Sequence, residues 1–123
     1  MTYNELFSLE PLAFLTWLDK TFPTKVPDGI DTVSDMTNAA GQLLMFTNEY
    51  AYISELASLA RILTRKAKRE GRKSDYEDMV DKRDAIENKM SAIKQCYQGI
   101  SRSITVRSEN NEELRMLSSH YIA

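Results

Sequence analysis

Residues 34–105, SDMTNAAGQLLMFTNEYAYISELASLARILTRKAKREGRKSDYEDMVDKRDAIENKMSAIKQCYQGISRSIT, decide the fold. They read as a helical hairpin: a helix over 34–70, a turn at Gly71-Arg72-Lys73, and a second helix from Ser74 to past Ile104. In the first helix Leu43, Phe46, Tyr50, Ile53, Ala57, Ala60, Thr64 and Ala67 recur at spacings of three and four, which places them on one face. A second line, Tyr52, Leu56, Leu59 and Leu63, runs beside it and predicts contact with at least two neighbours. The small Ala57 and Ala60 let a partner backbone approach. In the second helix Tyr76, Met79, Ile86, Met90, Ile93, Tyr97, Ile100 and Ile104 form the matching seam, with Arg83 at a skipped position. Gly71 suits a helix end, and Ser74-Asp75-Tyr76-Glu77 reads as a capping box. A short connection implies antiparallel neighbours, each about 45–55 Å long at about 1.5 Å per residue. The fold class is therefore all-α, an elongated antiparallel hairpin. So much exposed seam argues for a homo-oligomer or a partner.

Outward from the hairpin, residues 1–22 form a smaller helical element. Ser8 is placed to cap a helix with Pro11 in its first turn. Leu12, Leu15, Leu18 and Phe22 follow at helical spacing, with Phe14 and Trp17 beside them. This aromatic piece is expected to pack on the open end of the hairpin, with Trp17 a packing residue. Residues 23–33 form a linker with a turn signature at Pro27-Asp28-Gly29. Ser34 is placed to cap the long helix, with Asp35 near its positive end. Residues 106–123 read as a tail or short helix, or as a continuation of the second long helix through Leu114 and Leu117.

The chain has 123 residues, enough for one domain with a modest core. Its net charge of −2 exerts no general pull toward nucleic acid or membrane, but the charge is unevenly distributed. Residues 1–60 carry two Lys/Arg against eight Asp/Glu, and residues 61–73 carry seven against one. The single cysteine, Cys96, excludes an internal disulfide and fits a reducing compartment. The opening residues lack the pattern of a secretory signal, and the apolar runs are too short to span a bilayer. A cytoplasmic protein is expected.

The strongest candidate surface is the basic run Arg61, Arg65, Lys66, Lys68, Arg69, Arg72 and Lys73. Arg61, Arg65, Lys68 and Arg72 follow one another at spacings of four, three and four. A phosphate backbone or an acidic protein face fits such a ridge. Dipole complementation and pairing with Asp75, Glu77, Asp78 and Asp81 favour the plainer account, a solvated and self-paired hairpin tip. Only Tyr76 offers a nearby ring for base stacking.

Other groupings are weaker. Asp75, Asp78, Asp81, Asp84 and Glu87 step by three residues and therefore spiral around the helix instead of converging on a metal. Glu49 and Glu55 on the first helix are spaced wrongly to complete a carboxylate set. His120 has no zinc-ligand cluster near it, and Cys96 has no histidine to activate it. Ser101, Ser103 and Thr105, with Arg102 and Arg107, suit either a phosphate or hydrogen bonds to their own helix. Four scattered glycines exclude a glycine-rich phosphate loop. Met79 and Met90 read as core, with Met36, Met45 and Met116 scattered along the helices. No cofactor or metal is implied, and the absence of a catalytic set favours a non-enzymatic role.

The segment Ile93-Lys94-Gln95-Cys96-Tyr97-Gln98-Gly99-Ile100-Ser101-Arg102-Ser103-Ile104-Thr105-Val106-Arg107, continued by Glu112-Glu113-Leu114-Arg115-Met116, resembles small all-helical proteins encoded by bacteriophages. Some of these are accessory factors in recombination or replication, and others inhibit bacterial defence systems. The resemblance spans residues 93–116. It implies a phage or mobile-element setting and carries over no functional residue.

The leading expectation is an oligomeric helical inhibitor or adaptor acting on a nucleic-acid-processing protein complex. Arg65, Arg69 and Arg72 are expected to contact an acidic or phosphate surface. The alternatives are direct DNA or RNA binding as a recombination or replication accessory, and a structural homo-oligomeric scaffold. A metal-dependent hydrolase using Asp78 and Asp81 ranks last.

Overall fold

A computed structural model describes residues 1–26 and 29–110, for the last four of which only the backbone is considered. The described residues form four helices and no strand: α1 (Tyr3–Phe7), α2 (Pro11–Thr21), α3 (Val33–Arg69) and α4 (Lys73–Asn110). The two long helices pack against each other as a hairpin. The chain divides into two compact units. Among the described residues, one comprises 1–23 with 51–92, the other 24–26, 29–50 and 93–110.

The first unit contains the turn. Helix α3 ends in a Schellman motif: the Arg72 N–H donates to the Ala67 carbonyl at 3.0 Å, and the Gly71 N–H to the Lys68 carbonyl at 3.2 Å. This geometry needs a left-handed residue, and Gly71 supplies it at φ 69°. The expected capping box at Ser74 does not form among the described residues, because α4 starts one residue earlier. The Arg72 carbonyl receives the Tyr76 N–H at 2.9 Å, and the Arg72 guanidinium bridges Glu70 and Asp75 across the turn.

The seam of this unit follows the three-four spacing. Ile53, Ala57, Ala60, Thr64 and Ala67 of α3 are buried, as are Met79 and Ile86 of α4. The second α3 stripe meets α1 and α2. Rings run in sequence from Phe7 through Phe14, Trp17 and Phe22 to Tyr52, with centroids 5.5–6.2 Å apart. Each such pair adds about 0.5–1.5 kcal/mol beyond its area burial.

The N-terminal element thus packs on the turn-proximal half of the hairpin, which corrects the expectation that it covers the open end. Lys82, a residue outside the predicted seam, ties the element there. Its side chain is 3% exposed. Its ammonium donates to the Phe7 carbonyl at 2.9 Å, the Leu9 carbonyl at 2.7 Å and the Asp78 carboxylate at 2.7 Å. All three ammonium donors are therefore engaged. An Asp19–Lys89 ion pair at 2.9 Å joins α2 to α4. Arg83, placed at the skipped seam position, lies partly exposed beside Asp84.

Two caps also differ from expectation. Ser8 closes α1 by donating from its hydroxyl to the Asn4 carbonyl, and α2 starts at Pro11 with no side-chain cap. Thr2 caps α1 by accepting the Glu5 N–H at 3.1 Å.

In the second unit α3 is capped by Thr32 instead of Ser34. The Thr32 hydroxyl accepts the Asp35 N–H at 3.0 Å, and the Asp35 carboxylate accepts the Thr32 and Asp31 N–H groups at 3.1 Å each. This is a reciprocal capping arrangement, three residues apart. Ile30, Met36, Ala39, Ala40, Leu43 and Phe46 are buried, with Ile93, Ile100 and Ile104 of α4. The seam opens at Tyr50 and Tyr97, which are 38% and 40% exposed. Together with Phe46 and Ile93 they line a notch of about 500 Å³. Helix α4 runs on to Asn110, so Ile104-Thr105-Val106 lies within it. Pro27, Asp28 and the segment 111–123, which holds Leu114, Met116, Leu117 and His120, lie outside the described residues.

Candidate binding surface

The seven cations of the basic run fall into two groups. Arg61 is held by Glu87, its Nε and Nη2 each 3.0 Å from Oε1. Arg72 lies 2.8 Å from Glu70 and 2.7 Å from Asp75. The Arg72 guanidinium is raised above its ordinary pKa, chiefly by the Asp75 hydrogen bond. These two arginines fasten the hairpin.

Arg65, Lys66, Lys68, Arg69 and Lys73 are exposed and have no acidic partner among the described residues. The only bond from the Arg65 side chain is a long one, 3.3 Å, from Nε to the Arg61 carbonyl.

Sequence reasoning missed the residue in the middle of this group. Ile62 is 54% exposed. Arg65, Lys66 and Arg69 lie three, four and seven residues beyond it, so all four share a face of α3. Ile62, Arg65, Lys68 and Arg69 line a shallow hollow of about 550 Å³. The visible signal was an isoleucine outside both apolar stripes of α3.

The remaining groupings are accounted for by the fold. A larger cleft of about 610 Å³ lies beside Lys82, between the α1–α2 corner and the start of α4. Its Lys82, Asp78, Arg72 and Asp75 are already paired. The acids of α4 disperse as their three-residue step dictates: Asp75 goes to Arg72, Asp78 to Lys82, Asp84 to Arg83 and Glu87 to Arg61. Among the described residues no three His, Cys, Asp or Glu side chains gather around a common point.

The Cys96 thiol is partly buried and faces the Thr24 carbonyl at 3.7 Å. Ser103 and Thr105 bond back to the Gly99 and Ser101 carbonyls at 2.9 and 3.0 Å. Met36 and Met79 are buried, whereas Met45 is 40% exposed. Trp17 sits between Phe14 and Phe22 as a packing residue. No helix among the described residues is long and apolar enough to cross a membrane.

The chain matches no protein-family model, no curated protein and no solved structure.

Proposed function

We propose that the chain is a non-enzymatic binding protein, an inhibitor or adaptor of the phage or mobile-element kind. It docks on an acidic face of a nucleic-acid-processing protein complex through Arg65, Lys66, Lys68, Arg69 and Lys73. One observation carries this reading: these five cations lie close together with no acidic partner among the described residues, while Arg61 and Arg72 beside them are paired. A fold gains little from such clustering. Complementing the α3 dipole is worth about 0.3–1 kcal/mol and acts only within the last turn. Like charges at helical spacing oppose it by similar amounts per pair. A partner that supplies carboxylates reverses that repulsion and is steered in by the local field.

Direct nucleic-acid binding is the alternative. Against it stand Ile62 in the middle of the face and the eight acids among residues 1–60, which repel an extended polyanion.

Fluorescence anisotropy over about 50 to 300 mM salt tests the reading, with a labelled poly-glutamate peptide and labelled single- and double-stranded DNA as probes. The acidic peptide is expected to bind at low salt. The Arg65→Ala/Lys68→Ala/Arg69→Ala variant is expected to lose that binding while keeping wild-type helicity by circular dichroism. Undiminished binding in the variant, or no binding by the wild type at the lowest salt, would overturn the assignment.

A further inference from the structure

We infer that the docking segment of the partner is an acidic amphipathic one. An apolar side chain seats on Ile62, between the stems of Arg65, Lys68 and Arg69, while flanking carboxylates meet their charged heads. The inference rests on the function proposed above and names the chemistry of the partner at that same surface.

Three observations select this occupant. First, Ile62 lines the same hollow as Arg65, Lys68 and Arg69, a pairing of one apolar side chain with three cations that fits an apolar anchor flanked by carboxylates. Second, Ile62 is 54% exposed beside these cations, so covering it gains hydrophobic free energy that the isolated chain leaves unused. Third, the cations around it lack acidic partners among the described residues, which fixes the sign of the occupant. A phosphate backbone satisfies the third observation but gains nothing from the first two. Residues 61–73 also contain no aromatic ring on which a base could stack.

Arginine suits the role because its planar guanidinium holds a carboxylate in bidentate fashion while its stem lies along an apolar neighbour. Arg65 and Arg69 stand four residues apart, about 6 Å along the helix axis. A helical partner with acids at the same spacing matches both, and its anchor lies about one turn beyond the acid that meets Arg65, over Ile62.

The test uses two labelled synthetic helical peptides of equal charge. Both carry glutamates spaced by three and four residues. One has leucine one turn outside a glutamate pair on the same face, and the other has serine at that position. Against the full chain, the leucine peptide is expected to bind about tenfold more tightly than the serine peptide, in keeping with one buried aliphatic side chain. In the Ile62→Ser variant that advantage is expected to vanish, with the affinity for the serine peptide unchanged. Circular dichroism verifies that the variant folds.

Equal affinity of the two peptides for the wild-type chain would overturn the inference and leave the basic surface as a purely electrostatic one. A leucine advantage that persists in Ile62→Ser would also overturn it, because the anchor would then lie elsewhere. Failure of both peptides and of poly-glutamate would overturn the proposed function and the inference together.

Discussion

Lys82 and the Arg65–Lys68–Arg69 face lie in the same compact unit, yet their positive charges have opposite fates. Lys82 is buried, and each of its ammonium hydrogens points at an oxygen of the fold. Arg65, Lys68 and Arg69 stand in solvent without a carboxylate among the described residues. Composition counts these four residues alike. The difference teaches that a cation's role is set by where the acceptors are, not by its place in a charge run. Two carbonyls at the α1–α2 corner need a buried donor, and Asp78, one turn away along α4, fixes the lysine that supplies it. The basic face has no such acceptors, and its charges remain available to a second molecule.

The largest expected effect breaks the internal side of this comparison. Lys82→Met removes the ammonium, which lies 5.6 Å from the Phe14 ring centroid, and strips the hydrogen bonds from the Phe7 and Leu9 carbonyls. Urea unfolding is expected to show a loss of about 2–3 kcal/mol. A loss under about 0.5 kcal/mol, the level of an ordinary surface change, would place Lys82 with the free cations.

Next comes the turn that separates Arg69 from Arg72. Gly71→Ala forces a Cβ into the left-handed region at φ 69°. It is expected to cost about 1 kcal/mol in the same assay. A neutral result would mean that the Schellman geometry does not constrain the two halves of the basic run.

Asp35 sharpens the comparison from the acidic side, because it lies near the surface yet is engaged by the fold. The Asp31 N–H, followed by the Thr32 hydroxyl, holds its carboxyl below the usual carboxylate range. A depressed folded pKa means that its contribution is fully present above about pH 4, the unfolded value, and is lost as pH falls through the folded value. Wild type is therefore expected to lose more stability between pH 6 and pH 3 than Asp35→Asn does. Equal losses in the two proteins would show that the cap does not depend on the charge.

The hairpin was legible because α3 and α4 hold a three-four spacing across many turns, and a glycine with no competing helical role stands between them. The buried seam positions Ile53, Ala57, Ala60, Thr64, Ala67, Met79 and Ile86 followed from that pattern, whereas Tyr76 and Met90, placed in the same seam, are only half-buried. Tyr50 and Tyr97 did not, because spacing states which way a residue faces and not whether a neighbour covers it. The caps at Ser8, Ser34 and Ser74 were each assigned to a plausible serine. The local geometry uses Thr2 for α1, Thr32 for α3 and the Arg72 backbone for α4, and leaves α2 without a side-chain cap. Boundary shifts of one or two residues decide such cases. Lys82 was invisible because its acceptors are backbone carbonyls more than 70 residues away in the chain. The basic surface was legible as charge. Which of its members remain free depends on pairings such as Arg61–Glu87, 26 residues apart, that no local pattern encodes.

The central claim is that the fold does not use the charges of Arg65, Lys68 and Arg69. The most direct test is the unfolding free energy of the Arg65→Ala/Lys68→Ala/Arg69→Ala variant, measured in urea at about 0.15 M salt. The account predicts a value within about 1 kcal/mol of wild type, since exposed charges at a helix end contribute only tenths each and alanine favours the helix. A loss as large as that expected for Lys82→Met would show that these cations serve the fold, and the docking surface would have to be sought elsewhere.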